Sequence, residues 1–318
     1  MDVFSGVIAT MRVGRAEFTP SLRPAGWGNR FGPYPGAGFH VLLHGSCWLV
    51  PPEGSPVPLR AGDVVFLPHG SAHGLSDRPD VALADLPPDP GNDAASTQPE
   101  TARAHLVCGA YQLERRLAHP FLQSLPAVVH LSPGSRHHDL RSAIDLLGAE
   151  LLGPRPGSDA ALPALMDLVL VYLLRAWLDE QDTQDLDRGW PAALTDPLVA
   201  PALAAMHGEP DRRWTVPDLA RTVGLSTTAF ARRFSRVVGR PPLTYLTWWR
   251  LNTAARILTD DDVPLAGVAR QVGYGSEFAF ATAFRREFGV APGRFRRGQQ
   301  RHVPEGSRRL VPVAGTRP

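Results

Sequence analysis

The sequence predicts an α+β protein of several domains: an antiparallel β-barrel followed by two amphipathic helices, then an all-α half in which two helix-turn-helix units are joined by a long helix. Three observations carry that reading. Charge is divided unequally along the chain, the apolar spacing changes to a three-and-four period after Asp139, and a segment of the second half recurs at a shift of 49 to 50 residues.

The chain has 318 residues with 33 basic and 31 acidic side chains, a formal charge of +2, and every basic residue is arginine. Residues 1–210 hold 14 Arg and 23 Asp or Glu, a net of −9, whereas residues 211–318 hold 19 Arg and 8 acids, a net of +11. Such asymmetry points to a basic module that meets a polyanion, attached to an acidic module that does not. Hydrophobic residues make up 43% of the chain, enough for two or three cores, which excludes disorder throughout. The 30 Gly and 32 Pro show no three-residue period, so they signal turns rather than a collagen helix. No signal-type apolar region opens the chain. The most apolar run, 162–178, contains Pro163, Asp167 and Arg175 and falls short of the ~20 clean residues a span needs. The expectation is a soluble, cytoplasmic protein with no membrane partner. Two cysteines, Cys47 and Cys108, argue against a disulfide framework.

Taken in order, the short apolar runs 38–43, 47–50, 57–59 and 64–67 are separated by His44-Gly45-Ser46, 51–56 and Ala61-Gly62-Asp63, the spacing of a small antiparallel barrel or sandwich. Segment 87–101 lacks large apolar side chains and reads as a loop, with strand signals returning at 105–107 and 128–130. Residues 1–135 are assigned to the barrel. In 136–182 the apolar residues Leu140, Ile144, Leu147 and Leu151, then Leu165, Leu168, Val169, Tyr172 and Leu173, predict two amphipathic helices that break at 153–158 and pack on the barrel or on a second copy. An acidic, weakly apolar stretch makes 183–194 the expected linker. The helical half covers 195–298, and 299–318, rich in Gly, Pro and Arg, reads as a loose tail.

Laid on itself, the basic half repeats. Leu219-Ala220-Arg221-Thr222-Val223-Gly224-Leu225 matches Val268-Ala269-Arg270-Gln271-Val272-Gly273-Tyr274, and Phe230, Phe234, Gly239, Pro242 and Tyr245 match Phe280, Phe284, Gly289, Pro292 and Phe295. Each copy reads as a helix, a turn at glycine, and a second helix opened by Ser226 or Ser276 as N-cap. Phe230, Phe234, Val237 and Val238 mark the buried face of the first copy's second helix, leaving Thr227, Thr228, Ala231, Arg232 and Arg233 outward or flanking. In the second copy Phe280, Phe284 and Phe288 turn inward, leaving Glu277, Phe278, Ala281, Thr282, Arg285 and Arg286. Such helices fit a DNA major groove about 12 Å wide. Segment 243–259 predicts the long helix that spaces the two units, addressing grooves about 34 Å apart on one face of the duplex.

These residues resemble the DNA-binding domain of the AraC/XylS family of bacterial transcription regulators over about 195–298. The run 267–296 (GVARQVGYGSEFAFATAFRREFGVAPGRFR) follows that family's signature through its closing glycine, proline and aromatic-Arg pair. The resemblance implies that Thr228 and Arg232, with Glu277, Phe278, Ala281 and Thr282, occupy base- and groove-facing positions. The family often has arginine where Thr282 stands, so phosphate contact through Arg285 and Arg286 is the safer role for that helix.

Gly62, Pro68, Gly70 and His73 fit G-x5-P-x-G-x2-H, which is similar to the second motif of cupin barrels, and the resemblance implies a cupin sensor domain over about 2–130. The first cupin motif is incomplete, because His40 is followed by Leu42 rather than by a second histidine. His40, Cys47, His73 and Cys108 form the candidate effector pocket. Two imidazoles and two thiolates could also take zinc, and against that stands the reading of the cysteines as small buried hydrophobes and the histidines as hydrogen-bonded core. No cofactor is assigned. His69, His137 and His138 fall on turns and receive no role.

The expected function is a non-enzymatic, sequence-specific regulator whose two helix-turn-helix units bind double-stranded promoter DNA under control of a small effector in the cupin domain. A homodimer is expected, with RNA polymerase a further partner open to a promoter-bound protein. The alternative is a metal-dependent cupin dioxygenase or isomerase with an accessory DNA-binding half, against which the missing His-x-His pair counts.

Overall fold

The computed structural model describes residues 3–11, 16–34, 36–90, 101–111, 119–134, 136–153, 155–181 and 189–301. The first half runs α1 (Val3–Met11), β1 (Ala16–Arg23), β2 (Gly28–Phe31), β3 (Ala37–Val50), β4 (Val57–Arg60), β5 (Val64–Leu67), β6 (His73–Ser76), a 3-10 turn (Leu83–Asp85), β7 (Ala104–Tyr111), α2 (Pro120–Ser124), β8 (Val129–Leu131), α3 (His138–Leu152) and α4 (Ser158–Glu180). The second half runs α5 (Trp190–Thr195), α6 (Ala200–Gly208), α7 (Val216–Thr222), α8 (Thr227–Val238), α9 (Pro242–Asp260), α10 (Leu265–Gln271), α11 (Glu277–Phe288) and α12 (Pro292–Arg301).

The strands form two antiparallel layers that share β3 and do not close into a cylinder. One layer has the order β1-β7-β3-β5-β8; the other joins β4, β3, β6 and β2. The expected turn at His44-Gly45-Ser46 is instead the middle of β3. Register against β7 shifts between Leu42 and His44, and Gly45 adopts φ +84° with the Arg103 carbonyl oxygen 1.9 Å from where a Cβ would sit. The glycine therefore bends a continuous strand and lets it serve both layers. The pairing β1, β2 and β6 gain from their neighbours is non-local, which is why β1, with Pro20 and alternating polar residues, gave no strand signal.

Strand β5 shows how the layers fill. All four of its residues are buried, Val65 and Leu67 among Leu42, Leu49, Leu75 and Leu106 between the layers, Val64 and Phe66 against Met166, Val169, Leu170 and Leu173 of α4. Helix α4 is long and apolar enough to cross a membrane by length and composition, beyond what its broken run suggested. In the fold that apolar stripe covers the sheet and packs on α3.

One apolar core continues from this sheet face through α2, α5 and α6 into α8 and the first half of α9, ending at Tyr245, Leu246, Trp248 and Trp249. Helix α1 joins it by packing on α6 and α9. A separate core begins at Leu251 and collects Ala254, Leu258, Val268, Phe280, Phe284, Phe288 and Phe295. The first helix-turn-helix unit is thus built onto the sensor half, and the second hangs from the distal half of α9. Trp190–Thr195 of the expected linker is helical, because Trp190 is buried against this shared core, and the region begun at 299 opens as the end of α12. Residues 91–100, 182–188 and 302–318 of the expected loop, linker and tail lie outside the described residues.

Candidate nucleic-acid interface

Local chemistry sets each reader helix. The Thr215 hydroxyl accepts from the Asp218 amide at 3.2 Å while the Asp218 carboxylate accepts from the Thr215 amide at 3.3 Å, a reciprocal cap that starts α7. Gly224, at φ +69°, turns the chain, and the Ser226 hydroxyl accepts from the Ala229 amide to open α8. The second unit repeats this with Gly273 at φ +79° and Ser276 accepting from Ala279. Gly239 and Gly289 close α8 and α11 in the left-handed conformation. The residue inserted between the repeats is Gly275, which lengthens the second turn.

Most expected contact residues stand exposed: Ser226, Thr227, Thr228 and Arg232 on α8, and Ser276, Glu277, Phe278, Thr282, Arg285 and Arg286 on α11. Ala281 is half-buried. Arg233 is half-buried. Its guanidinium meets the Asp196 carboxylate at 2.8 Å, and Asp196 also accepts from the Leu198 and Val199 amides that begin α6. Arg233 therefore ties α8 to the α5–α6 junction. Arg233 follows the exposed Arg232 by about 100° around the helix, which carries it to the flank of α8 that packs beside α5.

In the cupin half, His40, His73 and Cys108 meet and Cys47 does not join them. His73 Nδ1 lies 2.9 Å from the Ser71 carbonyl, which accepts, so His73 Nε2 is the acceptor for His40 Nε2 at 2.6 Å. His40 Nδ1 is then free to accept from the Cys108 thiol at 3.0 Å. The result is a directed chain of neutral groups: thiol to His40, His40 to His73, His73 to backbone. Burial holds both imidazoles below their usual range and pushes Cys108 up to about 12, in keeping with that neutrality. Phe31 stacks on His73 and meets His40 edge-on. Cys47 sits among apolar neighbours with its thiol also pushed up to about 12 by burial. One ion cannot use both ring nitrogens of His40 together, and Cys47, which the β3 bulge turns into the same inter-layer core that Cys108 packs against, takes no part in this chain of hydrogen bonds, so the four-residue zinc set is not assembled. A cleft of about 270 Å³ lies instead between α3 and α4, bordered by Arg136, His137, His138, Tyr172, Arg175 and Asp179.

Sequence reasoning passed over a third cluster. His119 caps α2, accepting from the Phe121 amide at Nδ1, and its Nε2 reaches Tyr245 of α9. Tyr245 in turn meets His207 of α6 at 2.7 Å, and His207 stacks on Trp249 with ring centroids 3.7 Å apart. No pattern in the sequence signals a bond across 126 residues.

An open cupin sheet bearing two helices, joined to tandem capped helix-turn-helix units with arginines on their outer faces, defines a transcription regulator of the sensor-plus-reader type. Family comparison agrees: residues 2–179 match a Cupin model and residues 219–298 a Helix-turn-helix domain model. The chain is 34% identical over 306 residues to a putative AraC-like transcription regulator of Streptomyces lividans, covering 93% of this chain and 98% of that one. It is 32% identical over 269 residues to RclR, the RCS-specific HTH-type transcriptional activator of Escherichia coli K12, covering 84% and 86% of the two chains. Among solved structures, the DNA-binding domain of AdpA in complex with a target DNA is 31% identical, with 35% of this chain and all of that one covered and a TM-score of 0.33. The chain belongs to the AraC family of DNA-binding transcription regulators.

Proposed function

We propose that this regulator binds promoter DNA sequence-specifically through the exposed faces of α8 and α11, and that a small effector acting on the cupin half changes how the two helices engage it. The observation that carries the reading is the opposition on each helix of buried aromatics, Phe230 and Phe234 or Phe280 and Phe284, to exposed polar and cationic side chains. Thr228 and Arg232, with Glu277, Phe278 and Thr282, face base edges beside Ala281. Ser226, Thr227 and Ser276 at the helix N-termini, with Arg285 and Arg286, hold phosphates. The pairing of Arg233 with Asp196 supports leaving Arg233 out of the proposed contact set.

Exposed Leu146, Leu152 and Leu168 on α3 and α4 support a homodimer through these helices. RNA polymerase is the further partner of a promoter-bound dimer, acting in the cytoplasm. Shared core packing between the cupin half and α9 supports control by an effector, because a shift in one half must repack the other. The hydrogen-bonded His40, His73 and Cys108 line the place an effector would have to disturb. The enzyme alternative is not favoured, since these side chains satisfy one another rather than present three ligands to an open position.

Gel-shift titration of the full chain on its own upstream DNA and on scrambled DNA, at several salt concentrations, tests the reading. Preference for the upstream DNA with a steep salt slope, about −0.9 per phosphate contact, is expected. Equal affinity for both sequences refutes sequence-specific binding.

A further inference from the structure

Phe278 is 83% exposed in the first turn of α11, on a helix whose other phenylalanines, Phe280, Phe284 and Phe288, are buried. A side chain two positions from Phe280 lies about 200° around the helix from it, so Phe278 points away from the core and cannot join it by a rotamer change. Residues four, seven and eight positions on, Thr282, Arg285 and Arg286, share its side of the helix and are also exposed. The phenyl ring therefore stands on the cationic face, where phosphates are drawn in, and not on a face shaped for another protein.

A ring in that place offers no hydrogen bond. Among the groups on the floor of the major groove, the apolar one is the thymine 5-methyl, which apolar side chains distinguish from the other bases. Glu277 beside it repels acceptor-rich base edges, which narrows what the first turn of α11 tolerates. We propose that Phe278 is a specificity-determining residue that reads a thymine by covering its 5-methyl group. The assignment rests on the DNA-binding reading above and adds to it the base recognised. Thr282 lies one turn further along the same groove, and Arg285 and Arg286 set the depth of insertion through the backbone.

The test uses duplexes selected from a random pool by the full chain, with each thymine in the enriched site replaced singly by uracil, which lacks only the methyl. At one thymine, in the half of the site bound by the second unit, wild-type affinity is expected to fall about fourfold, the worth of one buried methyl. Phe278→Ala is expected to bind the thymine and uracil forms equally, and Phe278→Leu to keep part of the preference. Because the ring is exposed, truncation leaves the fold intact, which an unchanged thermal midpoint verifies. An enriched site in which no thymine shows Phe278-dependent sensitivity overturns this assignment alone. Failure to enrich any sequence overturns the DNA reading, and this assignment with it.

Discussion

The Nε2 of His119 lies 3.2 Å from the phenolic oxygen of Tyr245, joining the cupin half to the long helix of the reader. Both side chains are fully buried. With His119 Nδ1 accepting from the Phe121 amide, its Nε2 carries the proton and donates to Tyr245, whose hydroxyl donates onward to His207. Tyr245 is thus the centre of a neutral relay that fixes α9, and with it the spacing of the two reader helices, relative to the sensor. Burial accords with that neutrality, holding His119 well below and Tyr245 well above their usual ranges.

Tyr245→Phe keeps the ring packing and removes the hydroxyl that both imidazoles address. A loss of about 1–3 kcal/mol in urea denaturation is expected, because buried polar groups lose their partners. A variant as stable as wild type would show that the relay contributes packing only.

Acid should weaken the fold. His40, His73 and His119 have folded pKa values below the 6.5 of the unfolded chain, so the unfolded state binds more protons below that pH. Stability is complete above about pH 6.5 and falls as pH drops below it, by up to about 1.4 kcal/mol per pH unit for each imidazole kept neutral. Thermal midpoints measured from pH 7.5 to 5 should decline, and His119→Asn should flatten the slope. A pH-independent midpoint contradicts the prediction.

Arg232 and Arg233 are neighbours with separate tasks. Arg232→Ala should cost about 1–3 kcal/mol in binding the upstream site with the thermal midpoint unchanged. Arg233→Ala should cost about 1–3 kcal/mol of stability instead, since it strips the partner from an Asp196 side chain only 8% exposed. Parallel melting and gel-shift measurements separate them, and identical profiles would refute the division.

The two turn glycines should differ in tolerance. Gly224 has nothing within 4 Å of a Cβ, so Gly224→Ala meets only the left-handed strain of about 1–2 kcal/mol. Gly273→Ala adds contacts at 2.9 Å with the Asp211 backbone and Arg250, and should lower stability further. Equal melting of the two variants would mean that the neighbouring backbone moves aside at no cost.

Leu146→Asp with Leu168→Asp should convert a dimer to a monomer at micromolar concentration in light scattering after gel filtration. Both side chains are exposed in the single chain, Leu146 at 56% and Leu168 at 37%, so the folded monomer should survive. Monomer in the wild type would remove the homodimer proposal.

Much of the fold was legible where interactions are local. The α8 and α11 boundaries follow from serine caps, closing glycines and phenylalanines at helical spacing, signals that lie within one or two turns of the residues they govern. Strand β5 was read with its observed bounds because four consecutive apolar residues stood between turns. The packing of Trp190 and helix α5 against distant α2 and α8 had no local signal, and β3 was split because a glycine in a bulge has the same letter as a glycine in a turn.

By itself the sequence determined the duplicated reader, its charge, its caps and which aromatic faces turn inward, since each depends on residues close together along the chain. Only the tertiary structure decided that Arg233 answers to Asp196, that His40, His73 and Cys108 form a neutral chain without Cys47, and that Tyr245 stands between two histidines. Those relations join residues that chain distance separates, and burial creates them: a polar side chain withdrawn from water must find its partner among the groups the fold brings near.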